Sequence, residues 1–312
     1  TDTFRANRLT LDDYGLGDQV LEINRTAAQI ARRACDKFEQ STGIPRFVAG
    51  SMGPSGKLPS GDDPDMSDIT FDELADLFYE QAQGLVEGGV DLLIVETSQD
   101  ILEVKAAVYG INRYFKDSGN RVPLQVQITL DVSGRMLFGT DIAGALTTLE
   151  ALPIDILGMN CSTGPEYMRQ PIQYLVERSR FPISVLPNAG LPLNVDGEAV
   201  YPMEPDPFSE MVSEFTRWGV NIVGGCCGTR PDHLSKLYHK VHGKTYEETL
   251  AENATRQKPV VREVIHEPQA SSGMTSTLMM QNPGPTLIGE RVNSQGSRKV
   301  KRLLLADDYD SI

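Results

Sequence analysis

Six short apolar runs recur along the chain, at residues 46–51, 90–96, 124–130, 154–160, 183–186 and 220–223. Each is followed by a stretch with helical periodicity. The runs are rich in Val, Ile and Leu and barely alternate with polar residues, as expected of strands buried in a parallel sheet. Between them, Val20, Ile23, Ala27, Ile30, Ala34 and Phe38 share one helical face. Phe71, Leu74, Leu77, Phe78, Leu85 and Val86 share another. Thr70 with Glu73, and Asp100 with Glu103, read as capping boxes, and Pro231 suits a first helical position. Strands and helices in alternation imply right-handed βαβ units around a parallel sheet. An open doubly wound sheet and a closed barrel both fit. No GxGxxG follows any strand, which counts against a dinucleotide fold. Glu96-Thr97, Cys161, Asn188 and Cys226-Cys227 all sit just past strand ends. Polar residues gathered at the C-terminal ends of several strands are the habit of a (β/α)8 TIM barrel. Such a barrel has eight strands, and six are legible here.

The 312 residues allow one large α/β barrel plus part of something else. A net charge of −14 makes a nucleic-acid partner a poor expectation, since phosphate binding needs a concentrated Lys/Arg face. The strongest apolar run, residues 92–95, is far shorter than the ~18 residues of a membrane helix, so no membrane partner is expected. The first residues, Thr1-Asp2-Thr3-Phe4-Arg5, have neither a basic segment nor an apolar core, so no export signal is expected. Four cysteines, two of them adjacent, form no disulfide framework; thiols in a reducing cytoplasm are expected instead. Residues 1–245 form the expected barrel. Residues 246–285, polar and rich in turn formers, read as a linker. Within 286–312, Thr286-Leu287-Ile288-Gly289 reads as a strand, and 297–306 as a basic helix with Val300, Leu303 and Leu304 on one face.

Gly224-Gly225-Cys226-Cys227-Gly228-Thr229 is the sharpest chemical feature. Adjacent cysteines reach one centre only across a sharp turn, and the flanking glycines permit the positive φ values that such a turn needs. The segment leads from a buried strand to a helix start, where amide groups favour thiolate over thiol. Met159-Asn160-Cys161-Ser162-Thr163-Gly164-Pro165 has the same layout. In a barrel the two strand ends can bring three thiolates together, and three sulfurs plus one exchangeable position is a catalytic zinc pattern. Inert cysteines, or a vicinal disulfide, fit the spacing equally. Cys35, on an apolar helical face, reads as core. His233, His239, His242 and His266 read as solvated, with His233 closest to the cysteine pair. Glu96, after five mostly apolar residues, fits a carboxylate that binds a cation such as a substrate ammonium, or one simply exposed at a strand end. Asn188 reads as an amide contact at the same mouth or as a turn residue.

Taken together these segments resemble the homocysteine-binding, zinc-dependent S-methyltransferase barrels. Asp2-Thr3-Phe4, Gly50-Ser51-Met52-Gly53-Pro54, Glu96-Thr97, Met159-Asn160-Cys161-Ser162, Pro187-Asn188-Ala189-Gly190 and Gly224–Thr229 occur in that family's order. The resemblance implies that Cys161, Cys226 and Cys227 bind zinc. It implies that Glu96 accepts the homocysteine ammonium, that Asn188 supports the amino-acid end, and that the substrate thiol takes the open metal position. Ile288-Gly289-Glu290-Arg291-Val292-Asn293, with Gly296-Ser297 and Asp307-Asp308-Tyr309, resembles the opening of a methyltetrahydrofolate-binding barrel. That pairing is the arrangement of the family's cobalamin-dependent branch. It implies methylcobalamin as methyl donor, methyltetrahydrofolate as ultimate source, and folate-, cobalamin- and activation-type modules as partners. Betaine or S-methylmethionine as donor, and a non-catalytic barrel with structural zinc, are the competing readings. Against the family pattern, the chain is expected to start at the end of the second strand and to stop after the first strand and helix of the pterin barrel. It is therefore expected to be an N-terminally incomplete barrel, unstable by itself.

Overall fold

A computed structural model describes residues 1–242, 267–279, 297–306 and 308. The first elements are α1 (Arg8–Asp12), α2 (Val20–Thr42), β1 (Ala49–Met52), α3 (Pro64–Ser67), α4 (Phe71–Glu87), β2 (Leu92–Ser98) and α5 (Ile101–Ser118). Then follow β3 (Leu124–Ile128), α6 (Ile142–Leu149), β4 (Ile156–Asn160), α7 (Pro165–Arg178) and β5 (Ile183–Leu186). A hairpin of β6 (Leu193–Val195) and β7 (Glu198–Val200) precedes α8 (Pro205–Trp218), β8 (Ile222–Val223) and α9 (Pro231–His242).

All six expected strands are present. They form one parallel sheet in the order β1-β2-β3-β4-β5-β8, a half-barrel wall in which chain neighbours are also spatial neighbours. Thr1–Phe4 lies beside β1: the Thr3 hydroxyl donates to Ser51 O (2.7 Å), and Ser51 N–H donates to the Thr1 hydroxyl (2.8 Å).

The strands alternate more than their apolar look suggests. Leu124, Val126 and Ile128 of β3 join the core shared with the helices. Gln125 and Gln127, between them, reach across β4 to the Ser184 hydroxyl of β5, at 3.1 and 2.8 Å. They cross at Gly158, where a Cβ would collide with the Gln127 amide and the Ser184 carbonyl. The middle of the half-barrel's inner face is thus polar, with Gln125 and Gln127 converging on Ser184. Apolar burial lies outside, under α4, α5, α7 and α8.

Two helix expectations need correction. The buried side of α2 is Val20, Asn24 and Ala28, with Ala31 and Cys35 packed on the core, while Ile30 and Phe38 are exposed. The face is rotated by about one residue because α2 approaches α4 at Gly84 and Gly88, where any Cβ would meet the Leu21 and Arg25 backbone. Thr70 and Glu73 do form a capping box on α4. Asp100 caps α5, accepting from Leu102 N at 2.9 Å, but Glu103 turns away from it. Its carboxylate accepts from Ser55 N–H (2.8 Å) and the Ser55 hydroxyl, while Asp100 accepts from Ser60 N–H (2.8 Å) and the Ser60 hydroxyl (2.7 Å). These two buried carboxylates pin the Gly/Pro/Ser-rich loop that follows β1.

Burial pushes Glu103 up to about 7, from an ordinary value of 4.5, against the hydrogen bonds from Ser55. A carboxyl raised in the folded state holds its proton after the unfolded chain has lost it. Stability is therefore fully present below pH 4.5 and falls as pH rises through 7. Glu103→Gln keeps the acceptor and removes the charge. It is expected to flatten the stability profile between pH 5 and 8, gaining about 3 kcal/mol over wild type across that window. Urea unfolding at both pH values measures this; parallel profiles would contradict it.

The described residues fall into two compact units. The first contains 1–242 and 271–276; Asp141 N–H donates to Met274 O (2.7 Å) and the Ser271 hydroxyl to Gly144 O (3.2 Å). The second includes the helix Arg298–Leu305, capped by Ser297, with Val300 and Leu303 buried and Leu304 exposed. The segment 286–296, with most of the linker, lies outside the described residues. Among the described residues, no helix is long and apolar enough to cross a membrane.

Candidate metal centre

The C-terminal ends of β2, β4, β5 and β8 converge on one place. Cys161 is the first residue after β4, and Cys226-Cys227 follow β8 by two glycines. Of the four non-glycine residues with positive φ among those described, three lie here: Thr97 (+60°), Cys161 (+61°) and Ser162 (+62°). Such conformations cost of order 1–3 kcal/mol each and persist only where surrounding contacts impose them. At Cys161 those contacts are its N–H to Leu186 O (3.2 Å) and its O to Thr163 N–H (2.7 Å).

The flanking glycines act differently than expected. Only Gly228 has positive φ (+75°). A Cβ on Gly224 would meet the Leu186 side chain at 2.8 Å, and one on Gly225 would collide with the Thr229 side chain more closely still. These two glycines let the cysteine loop lie flat on its neighbours.

All four cysteines are free thiols. The Cys161 sulfur lies 3.8 Å from that of Cys227, which lies 3.9 Å from that of Cys226. All three sulfurs fall within 4.8 Å of one another. Tetrahedral zinc with Zn–S bonds of ~2.3 Å needs sulfurs about 3.8 Å apart. The neighbouring pair is too far apart to be a disulfide, which needs about 2.05 Å. No fourth His, Cys, Asp or Glu joins the cluster among the described residues.

His233 is fully buried rather than solvated. Its Nδ1 accepts from Arg230 N–H (3.1 Å), and its Nε2 lies 2.9 Å from Met203 O. With both ring nitrogens engaged, it braces the start of α9 and has no lone pair for a metal. His239 is exposed, and His266 lies outside the described residues.

The electrostatics ask for a cation. The Cys161 thiol is pulled down to about 6, first by the hydrogen bond from Cys226 and then by Ser162, Cys227 and Asn188. Cys226 is pushed up by its bond to Cys161, by burial and by its neighbours' charge; Cys227 is pushed up chiefly by burial. The three thiols thus bias one another, Cys161 towards thiolate and its two neighbours towards thiol. Three thiolates this close require a compensating cation, and the donor set is the soft one that zinc favours.

Asn188 lies under the cysteine loop and is 1% exposed. Its Oδ1 accepts from Cys227 N–H (3.0 Å), and its own N–H donates to Thr163 O (3.1 Å). It ties both cysteine segments together. Glu96 is at the end of β2. Its carboxylate accepts from the Ser51 hydroxyl (2.5 Å) and from Asn160 Nδ2 (3.3 Å), and burial raises its pKa. Cys35 lies on α2, away from the strand ends, and packs against the core.

Two further residues belong to the site. Asn160, fully buried, stands between Glu96 and the sulfurs, with its Nδ2 3.8 Å from Cys226 Sγ. Tyr201, just after the β6–β7 hairpin, hydrogen-bonds Cys227; burial and the thiols push its hydroxyl up to about 12. The hairpin turns at Asp196-Gly197, both at positive φ, and this Asp-Gly pair between apolar residues was the available sequence signal.

The profile of the family described as homocysteine S-methyltransferase matches residues 1–241. The methionine synthases of Mycobacterium leprae (strain TN) and Mycobacterium tuberculosis (strain ATCC 25618 / H37Rv) are 36% and 37% identical over 310 residues. That is 99% of this chain, which spans 24% of the length of each relative. Among solved structures, the oxidized form of the homocysteine methyltransferase MmuM from Escherichia coli superposes with a TM-score of 0.62 at 20% identity, covering 77% of this chain and 78% of that one. Its metallated form gives 0.61 at 21% identity, covering 76% and 77%. These structures share the fold.

Proposed function

The chain belongs to the homocysteine S-methyltransferase family, and on that premise we propose that it is the homocysteine-activating module of a methionine synthase. The observation that carries this reading is the convergence of three free sulfurs from two strand ends, with a half-buried carboxylate one amide away. Homocysteine carries an ammonium and a thiol separated by three carbons, and the two halves of this site match those two ends.

Cys161, Cys226 and Cys227 are the zinc ligands in this proposal, and Glu96 is the ammonium acceptor. Zinc held by these sulfurs would favour the thiolate form of a substrate thiol at neutral pH, where a free thiol, titrating near ~8.5, is mostly protonated. Asn188 keeps the two cysteine segments in register, and the Tyr201 hydroxyl donates to Cys227, drawing some charge from that sulfur. Ser51 and Asn160 fix the Glu96 carboxylate, so the substrate is oriented as well as bound. With the thiol proton released to solvent, the substrate sulfur would bond to the incoming methyl carbon as the donor–methyl bond breaks, the bonding pair staying on the donor. The thioether product is neutral and a poorer ligand.

The donor is proposed to be methylcobalamin, recharged from methyltetrahydrofolate, on folate-, cobalamin- and activation-type modules elsewhere in the full-length cytoplasmic protein. The half-barrel is proposed to belong to a (β/α)8 barrel of which residues 1–245 carry all but the first strand and most of the second. Residues 246–285 are then a linker, and 286–312 the start of a pterin-binding domain. A closed, purely structural zinc site is disfavoured by the engagement of both His233 nitrogens.

Metal removal tests the reading. Stripping zinc from the intact protein with a chelator is expected to reduce homocysteine methylation to background, and one equivalent of zinc to restore it. Full activity in verified metal-free protein would overturn the proposal.

A further inference from the structure

The Glu96–Thr97 segment departs from regular strand geometry. Val95 pairs with Val126 and Ser98 with Ile128, so β2 carries one more residue than β3 over this interval. That is a bulge, and bulges re-aim side chains at strand ends. Within it Thr97 has φ +60°, a conformation that a β-branched residue adopts only under constraint.

The constraint is the side chain of Asn160, from β4, reaching past β3. Its Oδ1 accepts from Thr97 N–H (2.8 Å) and its Nδ2 donates to the Thr97 hydroxyl (2.9 Å). The same Nδ2 lies 3.3 Å from Glu96 Oε2 and 3.8 Å from Cys226 Sγ. The Asn160 carbonyl is in turn held by the Thr129 hydroxyl of the intervening strand segment (2.9 Å). Asn160 is 0% exposed. One buried amide therefore grips the bulge, the carboxylate and a sulfur at once.

We propose that Asn160 is a positioning residue that locks the Glu96–Thr97 bulge to the cysteine cluster, setting the distance between ammonium acceptor and thiol site and so selecting amino-acid thiols over plain thiols. The inference rests on Glu96 binding the substrate ammonium. Without the amide, Thr97 N–H loses its acceptor, the bulge relaxes, and the carboxylate is no longer aimed at an ammonium whose thiol end is fixed at the metal.

The test compares calorimetric binding of homocysteine and of 4-mercaptobutanoate, which lacks the amino group, to the zinc-loaded intact protein. Wild type is expected to prefer homocysteine by about tenfold or more, the range of a charged hydrogen bond. Glu96→Gln reports on the premise and is expected to remove most of that preference. Asn160→Ala, kept saturated with zinc, is expected to remove it as well, with 4-mercaptobutanoate binding changed less than threefold. Asn160→Leu keeps roughly the same size but removes both the acceptor for Thr97 N–H and the donor to Glu96, so it keeps the inference testable should the alanine variant misfold; it is expected to lose the preference too. In the Glu96→Gln background, Asn160→Ala is expected to add almost nothing. Full preference in a folded Asn160 variant, or equal weakening of both thiols, overturns the inference while Glu96 stands. Full preference in Glu96→Gln overturns the premise and the inference together.

Discussion

Replacing Cys226 by alanine is expected to abolish zinc retention and homocysteine activation together. Cys226 supplies one of three sulfurs held within 4.8 Å of one another, and no fourth His, Cys, Asp or Glu among the described residues stands ready to replace it. Groups that only hydrogen-bond a metal ligand cost about 10–100-fold in affinity when removed; a direct ligand costs more. Two remaining sulfurs cannot hold zinc against a chelator in this geometry, and without zinc the substrate thiol stays largely protonated. The fold survives, because Cys226 is half-buried at a strand end and outside the apolar core. Metal analysis beside circular dichroism decides the matter. A folded variant with full zinc content would refute the assignment of Cys226 as a ligand.

Much of this site was legible because its chemistry depends on residue types in short contiguous segments. Asn160-Cys161 and Gly224–Gly228 announce themselves, and the six strands carry enough Val, Ile and Leu to be found from composition alone. What stayed hidden depends on side-chain direction. The inward glutamines of β3 interrupt an apolar run without breaking it, so the polar lining of the half-barrel could not be inferred from the pattern. The α2 face was misplaced by about one residue, since the approach of Gly84 and Gly88, some sixty residues away in sequence, sets the rotation. Glu103 satisfied the local capping pattern yet formed its bonds with Ser55, a distant partner. His233, polar and close to the cysteine pair, looked solvated. Its burial follows from Met203 and Phe208, some thirty residues earlier, which local periodicity cannot bring near it. Asn188 carries, besides the substrate contact that its family resemblance implies, hydrogen bonds to both cysteine segments that its place in a Pro-Asn-Ala-Gly turn does not announce. In each case tertiary contacts decide what local pattern leaves open.

The second large effect concerns the open position. A catalytic centre holds three protein sulfurs and exchanges its fourth ligand, whereas a structural centre is closed by four protein ligands. Here two of the three sulfur pairs have the spacing of a tetrahedral zinc face, both nitrogens of His233 are engaged, and Glu96, the proposed ammonium acceptor, stands one amide from Cys226. Homocysteine should therefore enter the metal sphere sulfur-first. Zinc-edge X-ray absorption of the intact protein, with and without homocysteine, measures this directly. We expect three sulfurs and one oxygen or nitrogen in the resting centre, becoming four sulfurs when homocysteine is added. A sulfur count unmoved by homocysteine, or a resting centre already closed by four protein ligands, would contradict the account.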